Sequence, residues 1–95
     1  MRVDLLLNRL CLFKTRSQAG KACDGGRVWI NEEKAKSSRA VVAGDRIRYR
    51  DELSRYEEDV EVLEIPKGSV SKARAKEMYR VLDRREIERP WSASS

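Results

Sequence analysis

Seven of the nine cations in the first 39 residues, Arg2, Arg9, Lys14, Arg16, Lys21, Lys36 and Arg39, are spaced so that a small fold can gather them around one hydroxyl-bearing turn, Thr15-Arg16-Ser17. The chemistry such a set supports is phosphate binding. A helix beginning after Thr15 offers free backbone N–H groups and the positive end of its dipole. A Thr or Ser hydroxyl and two flanking cations complete an anion site there. Each Lys or Arg that neutralises a nucleic-acid phosphate also releases counterions, so the affinity is largely electrostatic. Arginine adds a planar, two-pronged donor that lysine lacks.

Covalent chemistry has no comparable support. The chain has no histidine, no Gly-rich phosphate loop and no pair of carboxylates in a plausible pocket, so no catalytic residue is assigned. Two thiols without histidine cannot complete a four-ligand zinc site. Cys11 and Cys23, beside Leu10 and Ala22, read as small apolar fillers in a reducing compartment. The expectation is a non-enzyme without cofactor or metal.

Charge is sorted along the chain more sharply than the net +5 suggests. Residues 1–50 hold 12 Lys/Arg against 5 Asp/Glu, residues 51–64 hold 1 against 7, and residues 65–95 hold 8 against 4. A basic chain of this kind predicts a polyanionic partner, nucleic acid being the commonest. The bland alternative is a merely solvated basic surface. No run approaches the roughly 18 apolar residues of a membrane span. Met1-Arg2-Val3-Asp4 does not open like a secretory signal, so a cytoplasmic protein without membrane partners is expected.

The elements that must position these groups follow from periodicity. Val3, Leu6, Leu7 and Leu10 mark one face of a first helix, ending near Leu12-Phe13. Thr15 to Gln18 reads as a capping box opening a second helix that buries Ala19, Ala22 and Cys23 and stops at Gly25-Gly26. The period then changes to 2. Arg27 to Ile30 is a strand, Asn31-Glu32-Glu33 a turn, and Lys34 to Lys36 a short return. Arg46 to Arg50 is a strand with Ile47 and Tyr49 inward and Trp29 on the outer side of its neighbour. Asp51 to Asp59 reads as an acidic connection and Val60 to Ile65 as a further strand ended by Pro66. A last helix is expected from Ser69 or Ser71 to Ile87, with Ala75, Met78, Tyr79 and Leu82 docking on the sheet, then a frayed tail from Pro90. The fold class is α+β, two N-terminal helices packed on a small antiparallel sheet, plus a C-terminal helix. The domain division is residues 1–66 for the basic helix-pair domain and 67–95 for the terminal helix and tail.

Arg2-Val3-Asp4, Leu10 to Phe13, Lys14 to Ala19, Gly26 to Asn31, Ser38-Arg39 and Gly44 to Ile47, in that order and spacing, resemble the S4 RNA-binding domain over about residues 2–50. The resemblance implies the helix pair and hairpin known as the alpha-L motif, gripping structured RNA. It also implies that Arg2, Lys14, Thr15, Arg16, Ser17, Gln18 and Lys21 are the contacts. Arg9, Lys36 and Arg39 are added on the basic patch read above. The hairpin turn departs from the family, which usually has Asn-Gly where this chain has Asn31-Glu32-Glu33. An S4 domain followed by a basic element, with Lys76 to Leu82 at its end, is similar to a narrower group. These are the S4-class ribosome-associated heat-shock proteins and the ribosome quality-control factors of the RqcP type. What this implies is binding to rRNA and tRNA on the large ribosomal subunit, in rescue of stalled peptidyl-tRNA; a monomer is expected. The alternatives are a general structured-RNA binder in ribosome assembly, a DNA-binding helix-turn-helix with Leu12 to Thr15 as its turn, or a protein adaptor using the acidic segment.

Overall fold

The computed structural model describes residues 1–51 and 55–87. Helices α1 (Val3–Arg9) and α2 (Arg16–Asp24) come first. Strands β1 (Val28–Ile30), β2 (Glu33–Lys34), β3 (Arg46–Arg50) and β4 (Tyr56–Val62) follow, then a single turn of helix, α3 (Lys72–Ala75), and strand β5 (Tyr79–Glu86). All strand pairs are antiparallel, in the order β2-β1-β3-β4-β5.

The core lies between the helix pair and one face of this sheet. Val3, Leu6, Leu7 and Leu10 from the first helix, and Ala19, Ala22 and Cys23 from the second, are buried with Val28, Ile30, Ile47, Tyr49, Val60 and Val62 of the strands. Each large aliphatic side chain removed from water in this way contributes about 1.5–3 kcal/mol. Phe13 closes the end of the core with its ring 5.5 Å from that of Tyr49.

The turn between the helices is held by Asn8, whose side-chain amide donates to the carbonyls of Phe13 and Lys14 at 3.2 Å each. Within the turn Cys11 has φ 62 and is exposed, so the filler role expected of both cysteines holds for Cys23 alone. The Thr15 hydroxyl caps α2 by accepting from the Gln18 N–H at 3.0 Å. At its other end Gly26 takes φ 76, a conformation open to glycine at no steric cost.

The second half departs from expectation. The acidic segment is largely strand: β4 begins at Tyr56, not Val60, and ends at Val62. Residues 52–54 of that segment, and the tail from Pro90, lie outside the described residues. The terminal helix expected through Ile87 is one helical turn followed by β5. Ala75 and Met78 are buried as its stripe required and Tyr79 is half-buried, but Leu82 is exposed. It falls at the irregularity where Asp59 pairs with Asp83 and Val60 with Val81.

Charge explains why this segment is a strand. On the outer sheet face Glu57 lies within 4 Å of Arg48, Arg50 and Arg85, Asp59 meets Arg48 at 3.4 Å, and Glu61 is bound to Arg80. On the inner face Glu58 accepts from the Tyr49 hydroxyl at 2.7 Å, while Arg84 lies 3.8 Å from Glu58 and 4.0 Å over the Tyr56 ring. An acidic strand between two arginine-rich ones pairs charge across both of its edges. A helix over 79–86 would forfeit those contacts, and intrinsic helix propensity is too weak to outweigh them.

Candidate nucleic-acid interface

The N-terminus of α2 is where the expected site residues converge, and a buried carboxylate organises it. Asp4 is 5% exposed, accepts from its neighbour's N–H (Leu5) at 2.7 Å, and faces two arginines. Arg2 Nε is 3.3 Å from one Asp4 oxygen and Arg16 Nε is 3.4 Å from the other. Two guanidinium groups therefore share one negative charge, and both side chains remain half exposed, at 50% and 49%. Their donors not used by Asp4 are available to a second anion. Thr15 and Ser17 flank Arg16 at the exposed start of the helix, and Lys21 is exposed one turn farther along.

The segment after β2 brings a third arginine alongside. Val3 N–H donates to the Arg39 carbonyl at 2.8 Å, Arg2 and Ala40 form an isolated bridge, and Val41 N–H donates to the Met1 carbonyl. Ser37 is tied to the Asp24 carboxylate through its N–H at 3.1 Å and its hydroxyl at 3.4 Å. Arg39 thereby sits next to Arg2, with Glu33 4.0 Å from its guanidinium.

Two expected residues lie apart from this centre. Lys36 lines a hollow with Cys23, Asp24 and Gly26 at the far end of α2, roughly 13 Å along the helix axis from Thr15. Arg9 leans the other way, with Nη1 3.7 Å from where a β-carbon on Gly68 would sit. Lys14 is exposed between them, at the turn held by Asn8.

Asp4 is the residue of this site that sequence reasoning left out of the binding set. The signal was an acid in an otherwise basic stretch, two positions after Arg2. On the opposite sheet face Trp29 has the Arg50 guanidinium 5.7 Å over its ring, in a groove that also contains Glu57. Among the described residues no group of His, Cys, Asp or Glu is placed to hold a metal ion, and no helix is long and apolar enough to cross a membrane.

The family match falls on the same half of the chain. Residues 1–47 match the S4 domain family. A relative from Helicobacter pylori named RQC P-site tRNA stabilizing factor is 45% identical over 47 residues, which are 50% of this chain and 56% of that protein. The match thus spans little more than half of that relative's length. A solved trimeric structure of Heat Shock Protein 15 from Vibrio cholerae superposes with a TM-score of 0.76 at 30% identity, covering 85% of this chain and 80% of that one.

Proposed function

This chain belongs to the S4 RNA-binding family, and from that premise we propose that it is a non-catalytic cytoplasmic protein that binds rRNA and tRNA on the large ribosomal subunit. In this reading it acts as a monomer in quality control of stalled peptidyl-tRNA. The observation that supports it most is the pair Arg2 and Arg16, held half-exposed by one buried carboxylate beside the capped end of α2. Phosphates docking there meet two pre-oriented guanidinium forks and free backbone N–H groups, a geometry suited to structured RNA backbone rather than base edges. Lys14, Thr15, Ser17, Gln18, Lys21 and Arg39 are assigned to the same contact, with Arg9 and Lys36 at its margins. The names of the Helicobacter and Vibrio relatives favour the ribosomal setting.

Gradient sedimentation of cell lysate tests this. The chain should travel with free large subunits, preferentially those retaining peptidyl-tRNA. Purified protein should bind structured RNA with log K falling against log salt at a slope of about −3.5 to −4.5 for roughly five neutralised phosphates. Co-migration with small subunits sinks the quality-control assignment, and a flat salt dependence sinks RNA binding itself. A preference for duplex DNA points instead to the helix-turn-helix alternative.

A further inference from the structure

We infer that the groove between the Cys11 turn and helix α3 is a second contact for the same RNA, taking backbone phosphates at Lys14, Lys72 and Lys76. The inference rests on the RNA-binding reading and extends it to the half of the chain beyond the matched S4 residues.

Two hollows adjoin in this region. One of about 190 Å³ is walled by Cys11, Lys72, Lys76 and Tyr79. The other, about 470 Å³, is walled by Asn8, Cys11, Phe13, Lys14 and Lys72. They share Cys11 and Lys72, so they form one continuous groove lined by Lys14, Lys72 and Lys76 and by the half-buried ring of Tyr79. That combination suits a nucleotide strand, in which charge alternates with planar, apolar rings.

The state of the charges favours an anionic occupant. Among the described residues none of the seven lysines has a carboxylate within 4.0 Å, whereas Arg48, Arg50, Arg80, Arg84 and Arg85 of the sheet each have a β4 carboxylate within that distance. Within α3 itself Arg74 is committed to Glu64 at 2.7 Å and to Glu77 at 2.9 Å, while Lys72 and Lys76 on either side of it are uncompensated. These lysines are therefore open to an external partner in a way that the neighbouring arginine is not.

Both walls are fixed. Ala75 and Met78 are buried, and the Met78 carbonyl accepts from the N–H groups of Leu63 and Glu64 at 2.8 and 3.1 Å, pinning α3 to the end of β4. Opposite, Asn8 holds the backbone of Phe13 and Lys14. Lys14 adjoins Thr15, so a strand leaving the α2 terminus enters the groove at Lys14. Two rigidly connected contacts bind one polymer at high effective concentration.

The chain carries its own reporter. Cys11 is exposed in the groove, whereas Cys23 is buried, with its thiol pKa pushed by that burial to about 12. Alkylation by N-ethylmaleimide should modify Cys11 alone, and a hairpin RNA bearing a single-stranded extension should slow that reaction several-fold. A Lys72→Gln/Lys76→Gln variant should lose this protection, and its log–log salt slope should shrink in magnitude by about 1.4–1.8, the share of two phosphate contacts. Arg16→Ala, measured in parallel, reports the first site. If Arg16→Ala weakens binding while the lysine variant keeps both slope and protection, the groove is overturned and the RNA-binding reading stands. If the unaltered chain binds no RNA, the reading beneath it has failed. Equal protection of Cys11 by polyglutamate assigns the groove to acidic peptide and overturns the RNA contact.

Discussion

Asp4 places one negative charge between two guanidinium groups that the sequence separates by fourteen positions. An exposed pair of this kind contributes roughly 0–1 kcal/mol, but Asp4 is buried and its value here is geometric: it decides where Arg2 and Arg16 point. Asp4→Asn separates geometry from bulk charge, because it raises the net charge by one while releasing both arginines. We expect affinity for structured RNA to fall several-fold in fluorescence anisotropy. Tighter binding would show that charge alone governs the site. At this scale the sequence was legible where an interaction is local. Thr15 and Gln18 are three residues apart, and the cap they form was read correctly. Cys11 was misread as apolar filler, because its left-handed backbone follows from Asn8 gathering in the turn, which no spacing rule announces.

The β1–β2 hairpin turns on Asn31 and Glu32, with φ 50 and 72. Two consecutive left-handed residues make the tight turn that normally uses Asn-Gly. Asn31 is suited to it and donates to Asp45 at 3.1 Å, but Glu32 carries a β-carbon where one costs about 1–2 kcal/mol. Glu32→Gly should therefore raise stability by about 1 kcal/mol, seen as a melting temperature about 4–8 °C higher; an unchanged or lower value would refute the strain. Alkaline pH tests another element, β3 against β4. Tyr49 has its pKa raised by burial and then by its hydrogen bond to Glu58, and Cys23 is raised from 9.0 to about 12 by burial. In the unfolded chain both groups lose protons at their ordinary, lower pKa values, so stability holds below about pH 9 and falls as pH rises. Each group steepens the loss by about 1.4 kcal/mol per pH unit within its window. Urea midpoints between about pH 8 and 11 should decline, and Tyr49→Phe should flatten the decline above about pH 10 relative to its own neutral-pH value. The helix pair, hairpin and β3 were readable because their apolar period is regular and their partners are near in sequence. Strand β5 was not. Ala75, Met78, Tyr79 and Leu82 fit a helical repeat, and only the pairing of Arg80, Arg84 and Arg85 with carboxylates some twenty to thirty residues earlier selects the strand.

Across the whole molecule, the basic–acidic–basic sorting of the sequence takes on a meaning that charge counts alone do not convey. The negative stretch, first weighed as a solvated connection or an adaptor surface, is the middle of a sheet whose outer face is internally matched. Among the described residues no lysine is matched by a carboxylate, and Lys14, Lys21, Lys72 and Lys76 of that set lie along the Cys11 turn, α2 and α3. Opposite charges at contact distance cancel over a few ångströms, while unmatched charges project about a Debye length, roughly 8 Å at physiological salt. To a distant polyanion this protein is therefore lopsided. The sheet is nearly silent and the helix side attractive, so collisions are turned toward productive orientations before any side chain makes contact. In stopped-flow measurements raising salt should slow association far more than it speeds release, and removing a matched sheet pair, as in Arg80→Ala/Glu61→Ala, should leave the encounter rate almost untouched.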